Sequence, residues 1–212
     1  MGTRATGPVG RADGPLPDLS RHGDTGTMVP NLLGELSLIA DDLPADVAAP
    51  MSVFFTADTH FGDHRTINIS RRPFANAADM TEALVERWNA VVGSDDVVWH
   101  LGDVARRPAD VAVLLARLNG TKHLLRGNND PDATLAAQGW DSVADYAEIT
   151  LEGRQLVLCH YPFRSWNGQH RGAINLHGHS HGRLKPMLRQ FDVGVDAHDF
   201  APVQLDSLLR SR

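Results

Sequence analysis

The stretch Asn175-Leu-His-Gly-His-Ser-His-Gly182 places three histidines in and directly after a short apolar segment. It closes a series of polar clusters that begins soon after Met51, and each cluster follows a short run of apolar residues. Short apolar runs bounded by turn residues are typical of buried strands. The series therefore predicts a sheet whose strand ends carry the polar side chains of one site. The earlier clusters are Asp58-Thr-His60, Gly102-Asp103, Gly127-Asn128-Asn129-Asp130 and Cys159-His160.

The composition limits the class of protein. The chain has 212 residues, 42% of them apolar, which is enough for one sizeable core. A formal charge of -6 predicts no extended nucleic-acid binding surface, because such surfaces are basic. With Cys159 as the single cysteine, a reducing compartment is the expectation. The sequence has no signal pattern and no apolar run of about 18 residues, so we expect a cytoplasmic protein that does not enter a membrane.

The chain changes character near Met51. Residues 1–50 are rich in proline and glycine, and only the stretch 32–39 shows an apolar pattern. We therefore interpret residues 1–50 as a flexible leader and residues 51–212 as the folded domain. The purpose of the leader stays open.

Strand-like and helix-like segments alternate after Met51 and give way to a run of strands near residue 143. This pattern predicts a layered α/β fold with mixed sheets. In such folds, sites lie in loops beyond the carboxyl ends of strands, where the polar clusters of this chain fall. The predicted strands are 53–56, 97–101, 123–126, 143–151, 155–160, 173–177 and 191–195, and the predicted helices are 79–92, 110–118 and 131–138.

The side chains in these clusters suit two metal ions better than one. A dinuclear hydrolase holds its ions about 3.5–4 Å apart, with a carboxylate that bridges them and neutral ligands that keep the pair electrophilic. Asp103 is the expected bridge. Asp58 and His60, with one late histidine, would complete one ion. Asn128 and His160, with another late histidine, would complete the other.

The ligand chemistry also predicts which metals bind and what they would do. Mixed imidazole and carboxylate ligation favours manganese, iron or zinc over magnesium or calcium, and manganese is our first expectation for the two divalent ions. A bridging hydroxide of lowered pKa would then attack phosphorus while the ions neutralise the developing charge. The expected partner is a small phosphoester substrate.

Taken in order, the motifs resemble those of the calcineurin-like metallophosphoesterases. That family carries Asp-x-His, Gly-Asp, Gly-Asn-His-Asp or Glu, a lone His and Gly-His-x-His, and the resemblance covers about residues 51–200. Stretches such as Arg72-Pro-Phe74 look like the small prokaryotic branch of the family. The resemblance implies a four-layer αββα sandwich with two mixed β-sheets. It assigns Asp58, His60, Asp103 and His181 to one ion, and Asp103, Asn128, His160 and His179 to the other.

One position departs from the family pattern. The family usually has a histidine that is implied to protonate the leaving group, but this chain has Asn129, followed by Asp130, the acid that would orient such a histidine. Asparagine donates a hydrogen bond but delivers no proton, so general-acid help of about 10²–10⁴-fold would be lost or moved elsewhere. His64 is the expected substitute. Relatives without the histidine tend to resemble phosphodiesterases, which favours a nucleotide-like or aryl phosphodiester, with a phosphomonoester as the alternative.

Two residues that follow the lone histidine are candidate substrate contacts. Arg164 could pair with phosphate oxygens, and Trp166 could stack on a base or aryl group or else pack within its loop. The arginines at 71, 72 and 126 are interpreted as solvated or ion-paired surface groups. His100 and His177 are interpreted as packing or supporting residues, and Cys159 as a core residue on the strand face opposite His160.

Other classes fit the sequence less well. The His177-Gly-His-Ser-His181 pattern is similar to the alternating histidines of amidohydrolases and metallo-β-lactamases, but those folds place the motif early in the chain. A non-catalytic metal-binding scaffold is a further alternative, because some relatives keep the sandwich without its ligands. All seven expected ligands are present, which favours an enzyme. The oligomeric state stays open, a homo-oligomer included.

Overall fold

A computed structural model describes residues 51–210, which form two β-sheets and the helices around them. The predicted leader lies outside the described residues. Within residues 51–210, no helix is long and apolar enough to cross a bilayer. The strands are β1 (Val53–Thr56), β2 (Val97–His100), β3 (Thr121–Leu125), β4 (Ser142–Ala144), β5 (Tyr146–Leu151), β6 (Arg154–Cys159), β7 (Ile174–His177), β8 (Gln190–Asp192) and β9 (Val203–Gln204).

Both sheets are mixed, which confirms the predicted fold class. The first sheet has the order β4-β3-β2-β1-β9, with β1 to β4 parallel and β9 antiparallel to β1. The second has the order β5-β6-β7-β8, with β5 antiparallel to β6 and the other pairs parallel. Parallel pairing brings the carboxyl ends of β1, β2 and β3 to one edge of the first sheet, and those of β6 and β7 to one edge of the second.

Five α-helices connect and flank these strands within the described residues. The longest begins after Asn76, whose side-chain oxygen accepts from the Asp79 backbone N–H at 2.9 Å and so caps the helix. The first begins after Asp63, which accepts from the Arg65 backbone N–H at 3.0 Å in the same way. The helices are α1 (His64–Ser70), α2 (Ala77–Val91), α3 (Val111–Arg117), α4 (Asp132–Leu135) and α5 (Leu205–Arg210).

The first sheet has a hydrophobic core on each of its faces. Phe54, Val98 and Leu124 pack with the apolar residues of α2 and α3, such as Trp88. Alternate residues of the same strands point to the opposite face, as a pleated sheet requires. There Phe55, Leu101 and Leu125 pack against apolar residues of β6 and β7, so the two sheets lie face to face.

The structure corrects several predicted boundaries. The single strand predicted over 143–151 is wrong, because Asp145 separates β4 in the first sheet from β5 in the second. Strand-like residues continue on both sides of Asp145, so the sequence does not show this change of sheet. The sequence interpretation also missed α1, β9 and α5, which are short and carry little periodic signal. The other predicted strands and helices are present, with ends shifted by a few residues.

Candidate metal centre

The predicted ligands meet where the carboxyl ends of five strands converge. Backbone hydrogen bonds fix the loops to one another: the Asp58 N–H donates to the Gly102 carbonyl at 2.9 Å, and the His60 N–H donates to the Asp103 carbonyl at 3.0 Å. The Gly178 N–H donates to the His160 carbonyl at 3.0 Å. The loops after β1, β2, β6 and β7 therefore hold each other in place before any ligand binds.

Five of the seven predicted ligands adopt the left-handed backbone conformation. A positive φ is uncommon outside glycine, and it costs free energy that the surrounding structure must offset. Such residues concentrate at functional sites, because sharp turns aim their side chains into a common space. The φ angles are 57° for Asp58, 48° for His60, 60° for Asp103, 66° for His179 and 48° for His181.

Glycines leave room for the two carboxylates. A Cβ atom at Gly127 would come within 2.3 Å of the Asp103 Oδ1 atom. A Cβ at Gly178 would lie 2.7 Å from the Asp58 Oδ2 atom, and one at Gly194 would lie 2.8 Å from it. Since real Cβ atoms do not approach that closely, the backbone at these positions requires glycine.

The first group of ligands, here called the Asp58 set, consists of Asp58, His60 and His181. One donor atom from each lies within 4.8 Å of the others. The Asp58 Oδ2 atom accepts from the His179 N–H at 2.8 Å, whereas the Oδ1 atom is buried without a hydrogen-bond partner. The His181 Nε2 atom lies 4.0 Å from that Oδ1 atom. An unpaired buried carboxylate oxygen is costly, so this group is poised for a cation.

A buried ion pair holds the His181 ring. The Arg72 guanidinium donates to both carboxylate oxygens of Asp196 at 2.8 and 2.7 Å. The Asp196 Oδ2 atom also accepts from the His181 Nδ1 atom at 2.7 Å. A histidine that donates through Nδ1 carries its lone pair on Nε2, the atom that faces Asp58. We call this pair the Arg72–Asp196 brace.

The second group, here called the Asn128 set, consists of Asn128, His160 and His179. The Asn128 Oδ1 atom lies 3.0 Å from His160 Nε2 and 2.9 Å from His179 Nδ1. The His160 Nδ1 atom lies 2.7 Å from the Leu101 carbonyl, which can only accept a hydrogen bond. A neutral His160 therefore donates through Nδ1 and presents its Nε2 lone pair to another acceptor, the Asn128 oxygen. A cation between them would satisfy both.

Asp103 lies between the two sets. Its Oδ2 atom is 3.5 Å from His60 Nε2 and 3.7 Å from His160 Nε2, so one carboxylate oxygen faces a histidine of each set. Donor atoms of Asp58, Asp103 and His160 also lie within 4.8 Å of one another. This is the position that a bridging carboxylate requires.

Asn129 and Asp130 contact the bridge residue in different ways. The Asn129 backbone N–H donates to Asp103 Oδ1 at 2.8 Å, and the side-chain amide donates to Oδ2 at 2.7 Å. The Asp130 carboxylate accepts from three backbone N–H groups, those of Asp103, Val104 and Gly127, at 2.7 to 2.9 Å. Asp130 thus holds the loops around the site, and its oxygens face the backbone.

Burial shifts the pKa values of two of these ligands, in each case towards the neutral form of the side chain. Burial, and next the charge of Asp103, raise the pKa of Asp58 well above its usual value. Burial also lowers the pKa of His60 to about 4, which keeps the ring neutral and able to ligate. Without a cation, the buried Asp58 carboxylate would be costly to ionise. A bound divalent ion would remove that penalty.

The remaining candidate residues fall in different places. His64 is exposed at the first turn of α1, and the cavity of about 270 Å³ at the metal centre is lined by its neighbour Arg65 instead. Arg164 is exposed on the loop after β6. Trp166 is buried against Val157, and its indole N–H donates to the Ala173 carbonyl at 2.9 Å, which fits packing within the loop rather than stacking on a ligand.

Sequence reasoning missed the residues that support the ligands. The surface interpretation of Arg72 is wrong, because the residue is 4% exposed and its guanidinium also donates to the Asp58 and Thr59 carbonyls. Asp196 follows no recognised motif, so the sequence gives no signal for its role. His100 and Cys159 are buried as expected, although Cys159 also lines a cavity.

A two-sheet α/β fold with carboxylate, amide and imidazole ligands at its strand ends defines a class, the metal-dependent hydrolases. A sequence profile of the calcineurin-like phosphoesterase superfamily domain matches residues 51–191. The chain therefore belongs to that superfamily, whose members are metal-dependent phosphoesterases.

The chain is also similar to individual proteins. The gene 66 protein of Mycobacterium phage D29 is 32% identical over 186 residues, covering 72% of this chain and 92% of the phage protein. The uncharacterized protein MJ1445 of Methanocaldococcus jannaschii is 29% identical over 168 residues, covering 74% of this chain and 89% of that protein. Among solved structures, the protein of unknown function AQ665 from Aquifex aeolicus has the same fold, with a TM-score of 0.63, 21% identity and coverage of 76% and 98%.

Proposed function

We propose that the chain is a dinuclear, metal-dependent phosphodiesterase. The observation that carries the proposal is the place of Asp103, whose Oδ2 atom faces a histidine of the Asp58 set at 3.5 Å and one of the Asn128 set at 3.7 Å. A carboxylate between two sets of donors is the arrangement of a two-metal hydrolytic centre. Membership of a phosphoesterase superfamily supports the same chemistry.

The donor set fits two divalent ions, with manganese preferred over iron or zinc. When bound, such ions supply Lewis acidity and lower the pKa of a coordinated water. The protein's own part is to present donor atoms in the correct protonation state. The Arg72–Asp196 brace sets the tautomer of His181, and the Leu101 carbonyl sets that of His160.

Asn129 supports a diester substrate. Its side-chain amide lies at the centre, 2.7 Å from Asp103, where it can donate a hydrogen bond to a substrate oxygen but cannot protonate a leaving group. The proposal gives His64 no part in proton transfer, because that side chain is exposed and the metal-site cavity is lined by Arg65 instead. A site without a general acid suits esters whose leaving group departs unassisted.

The test is the variant Asn129→His, assayed with manganese on phenyl phosphate and on bis(p-nitrophenyl) phosphate. We expect wild-type protein to hold two metal equivalents by elemental analysis and to prefer the diester. Asn129→His should raise phenyl phosphate hydrolysis by at least about 10-fold, because phenolate is a poor leaving group that gains from protonation. The gain with p-nitrophenyl phosphate, whose leaving group needs no proton, should be smaller.

Asn129→Ala is the matched control, since it removes the amide and adds no acid. A gain on phenyl phosphate with histidine but not with alanine would support the general-acid argument. An equal gain with both, or none with histidine, would overturn it. Wild-type preference for the monoester would make the chain a phosphomonoesterase, and a protein that binds metal without turnover would be a scaffold.

A further inference from the structure

A second cavity lies beside the metal centre. Its volume is about 580 Å³, and Asn128 and Asn129 line it as well as the metal-site cavity of about 270 Å³. The larger cavity falls within the range of roughly 300–1,000 Å³ that is usual for small-molecule sites. Because the two cavities share two lining residues, they lie next to each other.

Tyr161 supplies the aromatic surface of this larger cavity. The residue directly follows His160, and its ring packs edge-on against two ligand rings, with centroids 5.0 Å from His160 and 4.8 Å from His179. It is nevertheless 45% exposed. An exposed aromatic ring beside the candidate metal ligands is suited to stack on a planar group.

Polar groups of both signs complete the lining. Arg126 lies at the end of β3 and donates to Asp132 at 3.0 Å, an exposed pair that leaves other N–H groups of the guanidinium open to the cavity. Asp145, between β4 and β5, is an exposed carboxylate that can accept from hydroxyl groups. Asp130 also lines the cavity, but its carboxylate already accepts from three backbone N–H groups.

We propose that this cavity binds the nucleoside group of a phosphodiester, with the base against Tyr161, when the phosphate lies at the metal centre. The inference rests on the proposed function. A nucleoside combines a planar ring with sugar hydroxyls, and the cavity offers an aromatic face together with a carboxylate and a guanidinium. A diester carries an organic group on each side of phosphorus, and two adjoining cavities accommodate both. Tyr161 is thus a specificity-determining residue.

The test compares two non-hydrolysable ligands by isothermal titration calorimetry on the full, manganese-loaded chain. One is a phosphonate analogue of thymidine 5′-monophosphate, and the other is methylphosphonate, so the ratio of their dissociation constants isolates the nucleoside. We expect the nucleoside ligand to bind wild-type protein at least about 10-fold more tightly. Tyr161→Ala should reduce that ratio by roughly 5- to 100-fold, the usual value of stacking on one base.

Three further variants make the result specific. Tyr161→Phe keeps the ring and should keep the ratio, whereas Tyr161→Leu keeps the bulk against the histidines without the aromatic face and should resemble Tyr161→Ala. Leu188→Ala, at an exposed residue that does not line either cavity, should leave the ratio unchanged. Metal content is measured for each protein, so that lost metal is not mistaken for lost stacking.

A wild-type ratio near one, or a ratio that Tyr161→Ala leaves unchanged, would overturn the inference. Neither result depends on turnover. If the nucleoside ratio behaves as expected but bis(p-nitrophenyl) phosphate is not hydrolysed, the nucleoside site stands and the proposed phosphodiesterase activity fails. If hydrolysis occurs without a nucleoside preference, the activity stands and the nucleoside site fails.

Discussion

The two ligand sets of the metal centre differ in how the protein holds them. In the Asp58 set, a buried carboxylate has one oxygen without a partner, and the Arg72–Asp196 brace fixes the His181 ring. In the Asn128 set, two of the three ligands are exposed, and the donors meet around one neutral amide oxygen. The first set is charged and preorganised, and the second is neutral and open to solvent.

This difference predicts that the two proposed ions would bind with different affinities. Preorganised, buried donors lose little entropy when an ion binds, and a carboxylate adds charge attraction that an amide lacks. We therefore expect the ion of the Asp58 set to be retained and that of the Asn128 set to exchange more readily. Asp103 contributes to both, so its removal is the change that should abolish the distinction.

Asp103→Ala should have the largest effect. Without the shared carboxylate, the Asn128 set is left with neutral donors alone and the Asp58 set with one carboxylate, so both ions should be lost together and phosphoester hydrolysis should fall by roughly 10³-fold or more. Elemental analysis and a manganese-dependent assay would measure both. Asp95→Ala is the control, an exposed carboxylate near the opposite end of β2. Full metal content in Asp103→Ala would contradict the bridging assignment.

Variants that affect one ligand set at a time should show whether the two ions bind independently. Asp196→Asn weakens the brace and should reduce affinity for the ion of the Asp58 set by about 10- to 100-fold, the usual cost of losing a supporting carboxylate. Asn128→Ala should weaken only the other ion. Calorimetric titration of metal-free protein with manganese would resolve the two sites. Loss of both affinities together in either variant would argue against two separable sets.

An unfolding temperature and a control variant distinguish an effect of the brace on metal binding from an effect on the stability of the protein. Asp196→Asn leaves a buried guanidinium with reduced pairing, so its unfolding temperature is recorded beside its metal affinity. Ser70→Ala is the matched control, because the Ser70 hydroxyl lies 3.2 Å from the same His181 Nδ1 atom and carries no charge. We expect Ser70→Ala to bind both ions nearly as wild-type protein does. An equal loss of affinity in both variants would show that the charge of Asp196 is unimportant.

The convergence of the candidate ligands could be predicted from the sequence, whereas the brace could not. Each ligand follows an apolar strand, and parallel strands bring such positions to one edge, so local patterns are sufficient. The brace joins Arg72 to Asp196, 124 positions apart, and neither residue belongs to a pattern that periodicity detects. Only the fold brings them together. A charged side chain is read as a surface group unless its buried partner is known.

The change of sheet between β4 and β5 shows that local patterns are also insufficient for part of the fold. The mixed α/β class of the fold could be predicted from alternating segments. The passage from β4 to β5 could not, since an apolar pattern does not record in which sheet a strand pairs. Trp166 illustrates the point for the site. Its position after a ligand strand is compatible with ligand stacking, and its burial against Val157 was decided by the packing of the loop.

The smallest expected effect concerns His100, which is 1% exposed and contacts the loops that carry the candidate ligands. Its Nδ1 atom accepts from the Gly102 N–H at 3.2 Å, and its Nε2 atom lies 2.9 Å from the Thr59 hydroxyl, which donates to the Val104 carbonyl. Burial lowers the pKa of His100 from 6.5 to about 3. Since the unfolded chain takes up a proton below pH 6.5 and the folded one does not, stability is lost as pH falls from 6.5 towards 3.

At pH 5 this loss amounts to about 2 kcal/mol relative to pH 7.5. The variant His100→Gln has no ring to titrate. Between pH 7.5 and pH 5, its free energy of unfolding in urea should therefore fall by about 2 kcal/mol less than that of the wild-type protein. The variant should nevertheless be less stable than wild-type protein at pH 7.5. His170→Gln, at an exposed histidine, should keep the wild-type pH dependence. Chelator is present throughout, so that metal does not contribute, and the difference between variants removes the titration of the ligands common to both. A His100→Gln variant with the full wild-type pH dependence would assign the acid sensitivity to the metal-site carboxylates and histidines instead.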